Sequence, residues 1–163
     1  QVGDAEVAFT DLIAGTQSDR LAHSCGDFVI RRRDGLMAYQ LATAVDDGDP
    51  TITHVMRGGD LLDNTARQIH LMSLLGLSVP VYAHVRTLLS EDGKKLSKQT
   101  HARALDNATA AANLVETLVF LGLTPPHDAA RWSPSEVLEW AIGHFEVDTV
   151  PSGTVIYRRG PVF

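Results

Sequence analysis

Apolar and polar positions alternate with different periods along the chain, and the period divides it into segments. The first 27 residues carry no sustained pattern. VAFTDLIAG mixes short apolar pairs with turn residues and TQSDRLAHSCGD is polar, which predicts irregular strand and loop. In GDFVIRRRDG, Phe28, Val29 and Ile30 form a β-favouring run closed by the Asp34-Gly35 turn signal, which predicts a strand entering a tight turn. Leu36, Tyr39, Ala42 and Val45 fall at helical spacing before Gly48 and Pro50, so a short helix is expected there. TITHVMRG (51–58) predicts a strand that ends on Arg57-Gly58. From 59 to 80 a helix is expected, capped by Asn64 or Thr65, with Ile69, Met72 and Leu75 on one face and Gly76 and Pro80 as stops. VYAHVRTLLS (81–90) predicts one more strand.

After residue 104 the period becomes helical throughout. Asp106 or Asn107 caps a run carrying Leu114, Leu118 and Leu121, ended by Gly122 and Pro125-Pro126. Ser133, Pro134 and Glu136 then spell a capped helix start with a capping box. Strand, helix, strand, helix, strand over 26–90 implies α/β architecture with a parallel sheet and right-handed crossovers, followed by a small helical domain. The expected divisions are 1–90, a loop at 91–104, and 105–163. No internal repeat is evident.

Composition narrows the class without naming it. The 163 residues are 44% hydrophobic and 21% charged, with no apolar run of the roughly 18 residues that a membrane span requires, so no membrane partner is expected. A net charge of −6 argues against a general nucleic-acid coat, although screening confines each charge to about 8–10 Å and leaves room for local basic clusters. Cys25 is the single cysteine, which excludes an intrachain disulfide and fits a reducing cytoplasm. Residue 1 is Gln, so the chain is expected to be a trimmed or incomplete piece.

The sharpest local concentration of charge is DGKKLSK, where Lys94, Lys95 and Lys98 surround Ser97. Such a stretch alone reads as a solvated loop. Its place between the last strand and the helical unit changes that, because ligands of open α/β sheets bind at the carboxyl ends of strands, where Arg57 also lies. Polyphosphate is the expected guest, and since GxxxxGK[ST] does not occur, a P-loop enzyme is disfavoured.

Other eye-catching residues point to structure rather than chemistry. His23 and Cys25 have the spacing of a metal pair but no further ligands in sequence reach. Asp46, Asp47 and Asp49 lack the order of a calcium loop and read as a helix-ending polar turn. Arg31 to Arg33 are expected as solvated or paired charge, and Trp132 and Trp140 as packing residues.

KLSK at 95–98 resembles the Lys-Met-Ser-Lys-Ser signature of class I aminoacyl-tRNA synthetases. The ordered set DGL, AYQLA, VDD, ITHV, RG, DLLD, T, RQI and then KLSK is similar to glutamyl-tRNA synthetases and, more closely, to the glutamyl-queuosine tRNA(Asp) synthetase family, over residues 6 to 150 or so. That resemblance implies ATP-dependent activation of glutamate, with magnesium accompanying ATP, and transfer of the glutamyl group to the queuosine base of tRNA(Asp). It implies that Tyr39 and Arg57 contact glutamate, that Lys98 contacts ATP, and that Lys95 and Ser97 complete the catalytic loop. A cytoplasmic monomer is expected.

Two positions depart from the signature: Leu96 replaces Met and Gln99 replaces the closing Ser. The family's His-Ile-Gly-His-type ATP motif, most of its glutamate pocket and its three-cysteine zinc insertion precede the matching segment. The zinc ligands are therefore not in this chain, which alone amounts to about half an active site and is not expected to catalyse adenylation unaided. The short stretch after Lys98 favours the queuosine-directed enzyme over a glutamyl-tRNA synthetase fragment. A non-catalytic synthetase-like module that binds tRNA or protein is the rival reading.

Overall fold

The computed structural model describes residues 1–96 and 105–157. The chain forms two compact units, Gln1–His84 and Val85–Phe163, dividing before the expected position after residue 90.

The first unit is mixed α/β, with a four-stranded sheet in the order β2-β1-β4-β3. Strands β1 (Glu6–Asp11) and β2 (Gly15–Arg20) form an antiparallel hairpin, and β1 runs parallel to β4 (Val81–Val85) with Asp11 beside Tyr82. Strand β3 (His54–Gly58) borders β4 on its other side. The hairpin replaces the irregular segment expected there. Its turn uses no Asn-Gly or Asp-Gly pair; instead Asp11 Oδ1 accepts from the Ile13 and Ala14 amides, and Gly15 takes the left-handed conformation at φ 74°.

A one-turn helix α1 (Leu21–Ser24) follows, and Leu21 is fully buried with Val2, Val7 and Ala66. The strand expected at 28–30 does not form. Val29 and Ile30 are exposed, and only an isolated Arg31–Met37 bridge closes the turn. The turn itself is present, with Gly35 at φ 87° and its amide donating to the Arg32 carbonyl. A β-favouring run with no neighbouring strand cannot satisfy its backbone groups as a ladder.

Helix α2 (Tyr39–Asp47) starts three residues later than the apolar spacing suggested, and its buried side is Ala44 with Leu41 rather than the Leu36, Tyr39, Val45 stripe, which is exposed. It packs on α3 (Leu62–Leu75), where Leu71 and Met72 complete the cluster. Helix α3 is entered through a 3-10 turn at Gly59–Leu61 and has Leu61 at its cap position with no side-chain cap. Asn64 and Thr65 are thus interior to the helix, contrary to expectation. Gly76 ends it at φ 68°, as expected.

In the second unit, β5 (Thr87–Leu89) pairs in parallel with β6 (Thr154–Ile156), a short strand the helical pattern did not announce. The strand expected over 81–90 is therefore two strands in two sheets. Helices α4 (Ala110–Phe120) and α5 (Pro134–His144) enclose a core of Val115, Leu118, Leu123, Ala129, Val137 and Ala141, with Trp132 and Trp140 against it. The capping box of α5 is complete: Ser133 Oγ accepts from the Glu136 amide and Glu136 Oε2 accepts from the Ser133 amide at 2.7 Å. No helix among the described residues is long and apolar enough to cross a membrane.

Candidate active site

Strand alternation places Tyr82 and His84 on one face of β4, and helical spacing places Thr65, Gln68 and Met72 on one face of α3. Arg57, near the end of β3, reaches between them. Its Nε donates to His84 Nε2 at 3.0 Å, and its Nη2 donates to Thr65 Oγ1 at 2.8 Å and to Gln68 Oε1 at 2.7 Å. The guanidinium also lies 5.2 Å from the centre of the Tyr82 ring.

The network continues on both sides. Gln68 Nε2 donates to Gln40 Oε1 at 2.9 Å, and Gln40 Nε2 donates to Asn64 Oδ1 at 2.6 Å, tying α2 to α3. On the sheet side, His84 Nδ1 meets Asp11 Oδ2 at 2.6 Å, and the His84 amide donates to Asp11 Oδ1 at 3.1 Å. Because Arg57 has no acceptor atom, His84 Nε2 must be the acceptor, so the ring proton sits on Nδ1 and is donated to Asp11.

Asp11, Thr65, Gln68 and His84 are buried, and their polar groups are satisfied within the network, Asp11 by His84 and Gln68 by Arg57 and Gln40. Burial holds the His84 imidazole below its ordinary value, more strongly than Asp11 raises it, and the Arg57 charge works with burial. Burial alone would raise the Asp11 carboxyl. Hydrogen bonds from Ala14, the His84 ring, Ile13 and the His84 amide outweigh it and keep Asp11 below the usual range. The pair is therefore a carboxylate beside a neutral imidazole.

Three of the five guanidinium N–H groups of Arg57 are committed to neutral acceptors. Nη1 holds the other two and makes no hydrogen bond among the described residues; Asp47 Oδ2 stands 3.8 Å away, and the side chain is 10% exposed. The arrangement anchors one side of a permanent cation on neutral groups and leaves Nη1 facing the Asp47 carboxylate.

Comparison with known proteins bears on the same residues. The family model for the catalytic domain of class I tRNA synthetases (E and Q) matches residues 2–139. The chain belongs to that family. It is 47% identical over 158 residues to a glutamyl-Q tRNA(Asp) synthetase of Thiobacillus denitrificans, covering 97% of this chain and 52% of the relative. It is 44% identical over 151 residues to one of Pseudomonas aeruginosa, covering 93% of this chain and 52% of the relative. Among solved structures it resembles a glutamate tRNA ligase from Elizabethkingia meningosepticum in complex with its amino acid, with a TM-score of 0.67 and 26% identity over 95% of this chain and 34% of that one. The chain spans about half the length of the curated relatives it matches.

Several of the stretches quoted from the sequence meet around Arg57. AYQLA supplies Gln40, VDD supplies Asp47, and the T and RQI positions supply Thr65 and Gln68. Asp11 and His84 were not singled out in the sequence, although a histidine in the otherwise apolar VYAHV is a polar residue at a buried strand position, which was a usable signal.

The candidate residues are otherwise distributed as follows. Tyr39 is the first residue of α2, one position before Gln40; its ring is exposed and its hydroxyl makes no hydrogen bond among the described residues. Lys95 forms a bridge with Leu89 of β5. Ser97 and Lys98 lie outside the described residues. Before the signature, Ser90 Oγ donates to Asp92 and Lys94 Nζ pairs with Asp92 at 3.1 Å, so Asp92 neutralises one lysine of the cluster and its carboxyl is lowered to about 2.

The residues present do not fit the zinc site of the wider family. The Cys25 thiol is directed at the Leu21 and Gly26 carbonyls, and no group of three His, Cys, Asp or Glu among the described residues is placed to hold a metal. A separate cavity of about 390 Å³, lined in part by Phe9, Asp19, Asp63 and Arg67, shares no residue with the Arg57 network.

Proposed function

We propose that the protein containing this chain activates glutamate with ATP and transfers the glutamyl group to the queuosine base of tRNA(Asp). In the first step a glutamate carboxylate oxygen attacks the α-phosphorus of ATP, a new O–P bond forms and pyrophosphate leaves. In the second, a nucleophile of the queuosine base displaces AMP. No covalent enzyme intermediate is needed, so the protein's task is to position reactants and stabilise charge.

The observation that carries this reading is Arg57, held by Nε and Nη2 on three neutral acceptors with Nη1 facing Asp47 at 3.8 Å and making no hydrogen bond among the described residues. Its Nε and Nη2 are held by neutral groups in a polar, largely buried setting, while Nη1 lies 3.8 Å from the Asp47 carboxylate, which an incoming glutamate carboxylate would join or displace. Tyr39 contributes a contact to the bound glutamate from the start of α2. Lys95, Ser97 and Lys98 act on ATP, bound with magnesium, where Lys98 stabilises charge developing on pyrophosphate. The similarity to glutamyl-Q tRNA(Asp) synthetases supports queuosine as acceptor. On this reading the protein acts as a monomer in the cytoplasm.

The test is glutamate-dependent exchange of labelled pyrophosphate into ATP by the full-length protein, followed by glutamate transfer to tRNA(Asp) with and without queuosine. Arg57→Ala is expected to lower kcat/KM for glutamate about 100-fold, and Lys98→Ala to lower the exchange rate about as much. Exchange without a glutamate requirement would overturn the reading. Transfer to tRNA lacking queuosine would redirect it to the tRNA end.

A further inference from the structure

We propose that Asp11 is a positioning residue for Arg57 and acts through the tautomer of His84. The proposal rests on the reading of Arg57 as the carboxylate-binding arginine, and it assigns a task to a residue of β1, separated from Arg57 on β3 by the intervening strand β4.

The two oxygens of Asp11 have different partners. Oδ1 accepts from three amides, those of Ile13 at 2.9 Å, Ala14 at 2.8 Å and His84 at 3.1 Å. Among the described residues, Oδ2 bonds only His84 Nδ1, at 2.6 Å. Both side chains have 0% exposure. A carboxylate fixed in this way accepts at both oxygens, which forces the imidazole proton onto Nδ1. The lone pair is then on Nε2, where the Arg57 Nε–H points. Thr65 Oγ1, 3.2 Å from the same Nε2, accepts from Arg57 Nη2 at 2.8 Å and has the Leu61 carbonyl at 3.4 Å to take its own proton.

An amide at position 11 would reverse this order. Three backbone donors demand an acceptor at the Oδ1 position, so the oxygen of an Asn must occupy it and the NH2 must take the place of Oδ2. The NH2 then donates to Nδ1, the imidazole proton moves to Nε2, and an N–H confronts the N–H of Arg57 Nε. Replacing an orienting carboxylate by its amide is known to impose the wrong histidine tautomer elsewhere. Shape and volume are preserved, and the turn amides keep their acceptor, so the effect isolates proton placement.

The experiment uses the full-length protein. Nitrogen-15 NMR of the histidine rings, with His84 assigned by its absence in His84→Gln, is expected to show a protonated Nδ1 and a bare Nε2 in the unsubstituted protein, and the reverse in Asp11→Asn. Kinetically, Asp11→Asn is expected to raise KM for glutamate about 10-fold while KM for ATP stays unchanged, the size expected for losing one hydrogen bond to a charged group. In an Arg57→Ala background the same substitution is expected to add no further loss. A proton on Nε2 in the unsubstituted protein, an unchanged tautomer in Asp11→Asn, or losses that multiply in the double variant would each overturn the proposal. If Asp11→Asn does not fold, the tautomer of the unsubstituted protein decides. If the protein shows no glutamate-dependent exchange, the functional reading fails and the NMR result still decides the role of Asp11.

Discussion

Asp47 Oδ2 stands 3.8 Å from Arg57 Nη1, within reach of an ion pair and beyond that of a hydrogen bond. That oxygen is buried and has no hydrogen-bond partner among the described residues. The carboxyl is raised above its ordinary value, chiefly by burial and further by Asp46, with Arg57 opposing. The desolvation of Asp47 therefore outweighs its attraction to the guanidinium.

A raised folded-state value means that the carboxyl contributes stability when protonated and loses it as pH rises through that value. At neutral pH the ionised Asp47 is a net cost. Asp47→Asn is predicted to stabilise the protein by about 1 kcal/mol at pH 7, raising the thermal midpoint by about 2–4 °C. A fall of that size in a thermal melt would show that the ion pair dominates.

Arg57→Lys keeps the charge and removes the fork. An ammonium cannot reach His84, Thr65 and Gln68 together, so buried acceptors lose their donor. Urea titration is expected to record a loss of about 3 kcal/mol. Glutamate-dependent exchange should fall nearly as far as in Arg57→Ala, and retention of exchange by the lysine variant would demote the fork to a structural device.

Tyr82 is 1% exposed, and burial pushes its phenol up to about 12, against a smaller opposing effect of the Arg57 charge. Since the unfolded phenol ionises near 10, the folded state binds more protons between the two values. Stability is fully present below 10 and is lost as pH rises toward 12. Ultraviolet titration of phenolate should find one tyrosine that ionises only as the first unit unfolds; Tyr82→Phe should remove that step.

Gly122, after α4, sits at φ 91°, and a Cβ there would meet Pro151 Cδ at 2.8 Å and the Thr149 carbonyl at 3.2 Å. Gly122→Ala is predicted to destabilise the second unit by about 2 kcal/mol, through strain at positive φ and the clash together. Differential scanning calorimetry checks this, and an unchanged melt would mean that the Pro151 loop yields freely.

Helix stops, the α5 cap and the β3 and α3 positions were legible because they depend on local chemistry: Gly76, Ser133 with Glu136, the run into Arg57. The caps assigned to Asn64 and Thr65 were not, because both side chains answer to distant partners, Gln40 and Arg57. The same reason hid Asp11 and His84, which lie 73 residues apart and have meaning only once β1 and β4 are neighbours. The hairpin of β1 and β2 was obscured by its Asp11-centred turn and by the polar face of β2. The position of Arg57 near the end of β3 was legible in the β-favouring run before it.

Strand β5 is used along both edges. The Leu88 carbonyl accepts from the Leu96 amide, the Leu89 carbonyl accepts from the Tyr157 amide, and Lys95 bridges to Leu89 across from β6. The first lysine of the KLSK signature is therefore moored to the same three-residue rib that holds the C-terminal strand. Loosening either mooring line exposes the rib to solvent and slackens the other, so the tail of the second unit and the root of its signature share one tether.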